Sequence, residues 1–148
     1  MPGVYSFSST AGLTGTLALN ALGNPNAIFI FKIGSALTTA SASRVLVTNG
    51  GSSCNVFWQL GTSATLGTGS SFAGNLLALA SITLTTGASL SGRALARNGA
   101  VTLDGNRVAP CTTLPAGSAQ AIPTLSGWRL MIFAMLIGLV SIHYVRRS

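Results

Sequence analysis

The chain has 148 residues and a formal net charge of +7, yet only 6% of its residues are charged, against about 25% in an average soluble domain. Its one acid is Asp104 and its one histidine is His143. Acid–base catalysis and metal binding draw on Asp, Glu, His and Cys, so the composition argues against an enzyme, a catalytic residue, a metal site or a cofactor.

The positive charge does not form a nucleic-acid footprint. Arg129, Arg146 and Arg147 flank a hydrophobic tail. Lys32, Arg44, Arg93, Arg97 and Arg107 are scattered through the body and make no basic stripe, so no nucleic-acid partner is expected.

The chain opens on "MPGVYSFSS", which lacks the positive n-region and apolar h-region of a secretory signal. Further on, "FIFKIG" (29–34) is echoed by "VFWQLG" (56–61) at a spacing of 27. "LTTASA" (37–42) resembles "LTTGAS" (84–89). Loops are marked by "GNPN" at 23–26 and "NGGSS" at 49–53. Cys54 and Cys111 either form one disulfide, in an oxidising compartment, or stay as two free thiols.

The strongest signal lies between residues 63 and 98. "SATLGTGSSFAGNLLALA" and "SITLTTGASLSGRALARN" align without gaps at a spacing of 18, with nine identical positions. A third partial copy, "AVTLDGN", begins at Ala100 and places Leu103 nineteen residues after Leu84. A fixed period near 20 residues signals a solenoid. Gly, Ser and Thr dominate and no 3.6-residue apolar stripe appears, which disfavours helix. Runs such as Ile82-Thr83-Leu84-Thr85 alternate as strands do, with Ile82 and Leu84 inward. The expected fold is all-β, a right-handed β-helix with three short strands and three bends per coil. Leu66, Leu84 and Leu103 are expected to stack inside it, as are Phe72 on Leu90 and Leu77 on Leu95. A β-sandwich is the alternative, and the gapless repeat counts against it.

Residues 109–121, "APCTTLPAGSAQA", read as a linker between the solenoid (1–108) and a C-terminal segment (122–148). From Leu130 to Val145 the tail is apolar throughout apart from His143 and Tyr144. Counting Trp128 and a snorkelling Arg129, residues 128–145 are long enough for a transmembrane helix with a cytoplasmic C-terminus. Just upstream, Ile122, Pro123, Thr124, Leu125, Ser126 and Trp128 resemble the IPTL-type sorting signals of Gram-negative bacteria. Arg129 departs from that pattern, in which Gly usually follows the Trp. The resemblance implies export, transient membrane anchoring and an exosortase-type processing protease as partner.

At "PGVYSFSSTAGLTGTLAL", "NPNAIFIFKIGSALTT", "CNVFWQLGTSATLGTGSSFAGNLLAL" and "GRALARNGAVTLD", the chain closely resembles the microbial DUF3494 ice-binding proteins. The match runs from Pro2 to about Val108. It implies a discontinuous right-handed β-solenoid of triangular cross-section with a long helix packed beside it. In the family that helix, the first coils and a signal peptide precede the "PGVY" segment, at which this chain begins. The solenoid is therefore expected to leave apolar surface exposed where the helix sits.

Ice-binding members often carry a T-(A/G)-x-(T/N) pattern stacked on a flat face. The nearest matches here are Thr39-Ala40-Ser41-Ala42, Thr68-Gly69-Ser70-Ser71 and Thr86-Gly87-Ala88-Ser89. The resemblance thus makes Thr39, Ser41, Thr68, Ser70, Ser71, Thr86, Ala88 and Ser89 the candidate ice-binding residues. The following coil places Gly105-Asn106-Arg107 level with Thr86-Gly87-Ala88, ending the ladder on an arginine. The expected partner is the ice surface, and the expected location is the cell surface or the medium. The competing reading is a structural or adhesive surface solenoid without ice activity.

Overall fold

The structure is a computed structural model that describes residues 1–111. Five coils follow one another, and each gives one strand to each of three sheets. Coil one holds β1 (Gly3–Phe7), β2 (Ala11–Leu13) and β3 (Thr16–Asn20). Coil two holds β4 (Phe29–Ile33), β5 (Leu37–Thr39) and β6 (Arg44–Thr48). Coil three holds β7 (Val56–Leu60), β8 (Ala64–Leu66) and β9 (Ser71–Ala73). Coil four holds β10 (Asn75–Ala78), β11 (Ile82–Leu84) and β12 (Ser89–Ser91). Coil five holds β13 (Ala94–Ala96), β14 (Val101–Leu103) and β15 (Arg107–Ala109).

The first sheet is ordered β1-β4-β7-β10-β13, the second β2-β5-β8-β11-β14 and the third β3-β6-β9-β12-β15. Every recorded strand pairing is parallel. The sole helical element among the described residues is a single 3-10 turn, Ser53–Asn55. No helix among them is long and apolar enough to cross a membrane. The predicted helix at 128–145, the sorting motif and the linker beyond Cys111 lie outside the described residues.

The register reproduces the repeat. Ala64 pairs with Ile82, Thr65 with Thr83 and Leu66 with Leu84, all at a spacing of 18. Leu84 pairs with Leu103 at nineteen, and Phe29–Ile33 pairs with Val56–Leu60 at 27. Leu66, Leu84, Phe72 and Leu90 are buried, as their alternation requires. Leu103 points inward too, but no described residue covers it on the fifth coil and it is 54% exposed. Leu77 and Leu95 do pair, yet on the outside: Leu76 takes the inward position at 0% exposure, which leaves Leu77 at 39% and Leu95 at 51%. With Val4 on β1, and with Ile28 and Leu79 just outside the ends of β4 and β10, they are exposed apolar residues along the first sheet.

Inward positions of that sheet carry an aromatic stack. Tyr5, Phe31 and Trp58 occupy one column, with ring centroids 5.1 Å and 4.0 Å apart and near-parallel planes. Trp58 tilts against Phe72 across the core, and its Nε1–H donates to the Ala73 carbonyl at 3.1 Å. That bond spares the buried indole N–H the cost of losing water without replacement, about 1–3 kcal/mol.

Coil length is decided at the bend from the third sheet to the first. Coils one and two make this bend with the loops around "GNPN" and "NGGSS". Coil three makes it with Gly74 alone, between β9 and β10, at φ +117°. A Cβ there would stand 2.7 Å from Trp58 Nε1. One coil later, a Cβ on Gly92 would stand 2.0 Å from the Gly74 carbonyl oxygen, so backbone meets backbone. Gly92→Ala is expected to destabilise the fold by about 1–3 kcal/mol, the usual cost of overpacking. Denaturant unfolding measures this, and an unchanged midpoint would contradict the close approach.

The "NGGSS" loop lies along this bend. Asn75 Nδ2 donates to the carbonyls of Cys54 (3.0 Å) and Val56 (3.2 Å). Ser53 Oγ lies 3.2 Å from Ser91 Oγ, beside Gly92. The loop thereby brings Cys54 to Cys111, and the two form a disulfide with Cα atoms 5.1 Å apart across 57 residues of sequence. Of the two states open to these cysteines, the structure holds the oxidised one.

Candidate functional site

The outer face of the second sheet is built by alternation. In each of its strands the first and third residues face the core and the middle one faces out. The middle residues are Gly12, Thr38, Thr65, Thr83 and Thr102, and the register joins them in one unbroken column. Successive threonines stand one strand spacing apart, about 4.7–4.9 Å. No strand of this sheet contains an ionisable side chain. The other two sheets do: Lys32 faces out from β4, and Arg44 and Arg107 start β6 and β15.

The bend from the second sheet to the third adds a second column. Ser41, Thr68 and Thr86 are all exposed, and each precedes a residue in the left-handed region: Ala42 (φ 57°), Gly69 (φ 63°) and Gly87 (φ 69°). The repeat of this conformation keeps the three side chains level. Glycine suits it without strain, and Ala42 adopts it without that freedom.

Of the eight residues expected from the sequence, Ser41, Thr68 and Thr86 therefore stand together on one exposed edge. Three others are corrected by burial: Thr39 (3%), Ser70 (1%) and Ala88 (0%) point into the protein. Ser71 and Ser89 are half-buried and belong to the third sheet, in a column that begins Thr16, Arg44 and ends at Arg107.

The cause of the misplacement is register. Because Leu37 pairs with Ala64 and Thr38 with Thr65, Thr39 falls level with the inward Leu66. Its buried hydroxyl is satisfied by the Gly67 N–H at 2.9 Å. The true counterpart of Thr68 and Thr86 is Ser41, two residues on. The column Thr38, Thr65, Thr83, Thr102 was absent from the expected set. Its signal was available, since inward Ile82 and Leu84 leave Thr83 facing out.

The fifth coil is also corrected. Its bend is one residue shorter, four steps from Leu103 to Arg107 against five from Leu84 to Ser89. Gly105 (φ 58°) therefore matches Gly87, and Arg107 pairs with Ser89 on the third sheet. The residue that follows Thr86 along the exposed edge is Asp104, not an arginine.

Together these features define a class: a three-sheeted parallel β-solenoid with one uncharged face columned by threonine. The comparisons name its kin. Residues 1–109 match the Ice-binding-like family, and the chain belongs to it. It is 62% identical over 120 residues to an ice-binding protein of Nostoc sp. (strain HG1), covering 80% of this chain and 44% of that protein. Among solved structures, an ice-binding protein from the Antarctic ascomycete Antarctomyces psychrotrophicus superposes with a TM-score of 0.72 at 41% identity, covering 76% of this chain and 54% of that one. An ice-binding protein from an Antarctic biological consortium superposes at 0.71 with 49% identity, covering 72% and 49%. The chain thus spans about half the length of these relatives.

Proposed function

We propose that this protein adsorbs to ice through the outer face of its second sheet and the adjoining exposed edge. The observation that carries this reading is the Thr38–Thr65–Thr83–Thr102 column, continuous in register on a face without charge. The chain's similarity to ice-binding proteins supports it.

The physical basis is order prepaid by folding. A crystal plane differs from the liquid beside it only in the regularity of its water, so a surface that recognises it must itself be regular. Parallel strands repeat their side chains at a fixed spacing close to a repeat of the ice lattice. Threonine is stiff at χ1, so little side-chain freedom remains to be lost on contact. Its methyl and hydroxyl groups order water without the strong, lattice-incompatible hydration shell of an ion. Water held over the column then merges with the growing crystal, and growth stops locally.

The tail is assigned to delivery. Residues 122–148 act as a sorting signal whose helix holds the protein in a membrane until an exosortase-type protease acts near Ile122–Trp128. The solenoid then works outside the cell, where the Cys54–Cys111 disulfide persists. The protein is expected to bind a polycrystalline ice hemisphere, shape single crystals and slow recrystallisation. Failure in all three assays with the folded protein sinks the ice reading. Separately, truncation after residue 121 is expected to abolish membrane pelleting, and persistent pelleting would refute the anchor.

A further inference from the structure

We infer that Asp104 sets the end of the exposed edge that adjoins the ice-facing sheet, an inference that rests on the reading of that face given above. The exposed edge is held by a repeated backbone bond: Ala42 N–H donates to the Thr68 carbonyl (2.9 Å), Gly69 N–H to that of Thr86 (3.0 Å) and Gly87 N–H to that of Asp104 (3.1 Å). Asp104 thus occupies the place held by Thr68 and Thr86 on the preceding coils. Like them it is exposed and precedes a left-handed residue, Gly105.

The only acid of the whole sequence therefore stands as the last rung, among the described residues, of a hydroxyl column. Its carboxylate also accepts a hydrogen bond from Thr86 Oγ1, so the neighbouring hydroxyl is turned toward an anion and away from surface water. Ice cannot rearrange around an ion as liquid water does. Covering this carboxylate with a crystal would strip its hydration without replacing it. The crystal therefore meets coils two to four of this edge and stops short of the fifth.

A bracing role for the carboxylate is not needed, because Asn106 secures the bend. Its Nδ2 donates to the carbonyls of Thr85 (2.8 Å) and Ala88 (2.9 Å), and its Oδ1 accepts from Asp104 N–H. The Asp104 side chain can thus be exchanged without releasing the backbone.

The test compares Asp104→Asn and Asp104→Glu in the full chain by thermal hysteresis, recrystallisation inhibition and thermal unfolding. Asp104→Asn is expected to raise ice activity on the order of twofold to fivefold, the scale of one exposed charge. Asp104→Glu keeps the charge and is expected to match the wild type, and neither variant is expected to shift the unfolding midpoint. Equal activity in all three proteins, or a loss in both variants, would overturn the inference. If the wild type is inactive, activity gained by Asp104→Asn supports it and continued inactivity overturns it. Thr83→Tyr separates the two layers: full activity in that variant removes the face itself, whereas its inactivity beside a silent Asp104→Asn removes only the boundary.

Discussion

Thr83→Tyr is expected to abolish thermal hysteresis and recrystallisation inhibition while leaving the protein folded. Thr83 is an inner rung of the column, with Thr65 on one side and Thr102 on the other. A phenol ring there stands above the plane of the methyl groups and holds a flat crystal off both neighbours. The strand tolerates the change, because tyrosine and threonine both favour β structure and the side chain faces out. Stability is expected to move by no more than about 0.5 kcal/mol, as for most surface substitutions. Ser89→Tyr is the control, for it adds the same bulk on the third sheet, in the column that ends at Arg107. Loss of activity in Thr83→Tyr with retention in Ser89→Tyr locates the surface. Equal loss in both, or in neither, would reject the second sheet as the site.

Removal of the disulfide has the largest expected effect on stability. Cys54 and Cys111 close a loop of 57 residues, for which the loss of denatured-chain entropy corresponds to about 4 kcal/mol. In a domain of this size that lowers the melting temperature by about 15 °C. Cys54→Ser, Cys111→Ser and chemical reduction should give the same shift, since each removes the same closure. The loss is expected to begin at coil five, where Val101, Leu103 and Val108 are already exposed and, among the described residues, no further strand pairs with β13, β14 or β15. Hydrogen exchange in the reduced protein should accordingly rise first in β13 to β15. Uniform exchange across all coils, or an unchanged melting temperature, would contradict this assignment.

The solenoid was legible in the sequence wherever two coils have equal length. Residues 63–98 align without gaps because the two copies have bends of equal length, and the structure pairs them at that spacing. The second coil misled for the opposite reason. "LTTASA" and "LTTGAS" share letters, yet Leu37 belongs level with Ala64 and Ile82 rather than with Leu84. Side-chain direction alternates along a strand, so a two-residue slip preserves the inward and outward pattern and leaves no local clue. It matters at Thr39 because Thr86, matched to it by the slip, lies past the end of β11 in the bend, where alternation lapses and the side chain is exposed, whereas the true register sets Thr39 level with the inward Leu66. The fifth coil hid a one-residue shortening, visible only in the pairing of Leu90 with Val108. The outward threonines follow from inward Ile82 and Leu84, whereas the T-(A/G)-x-(T/N) pattern falls on the bend beyond the strand. The disulfide was open because nothing in the sequence shows the "NGGSS" loop reaching along the bend to Cys111.

That loop also decides how the molecule responds to tension. A pull applied at Cys111 crosses the sulfur bridge directly to Cys54, ahead of β7. The intervening chain, from β7 through β15, lies outside the line of force. Coils three to five cannot be unwound from that end while the bridge is closed. Thr65, Thr83 and Thr102 all lie in this shielded stretch, and the strain falls instead on the seam between coils two and three, where β4 and β7 share a five-residue register. Reduction reverses the order, and the same pull then unzips the last coil first.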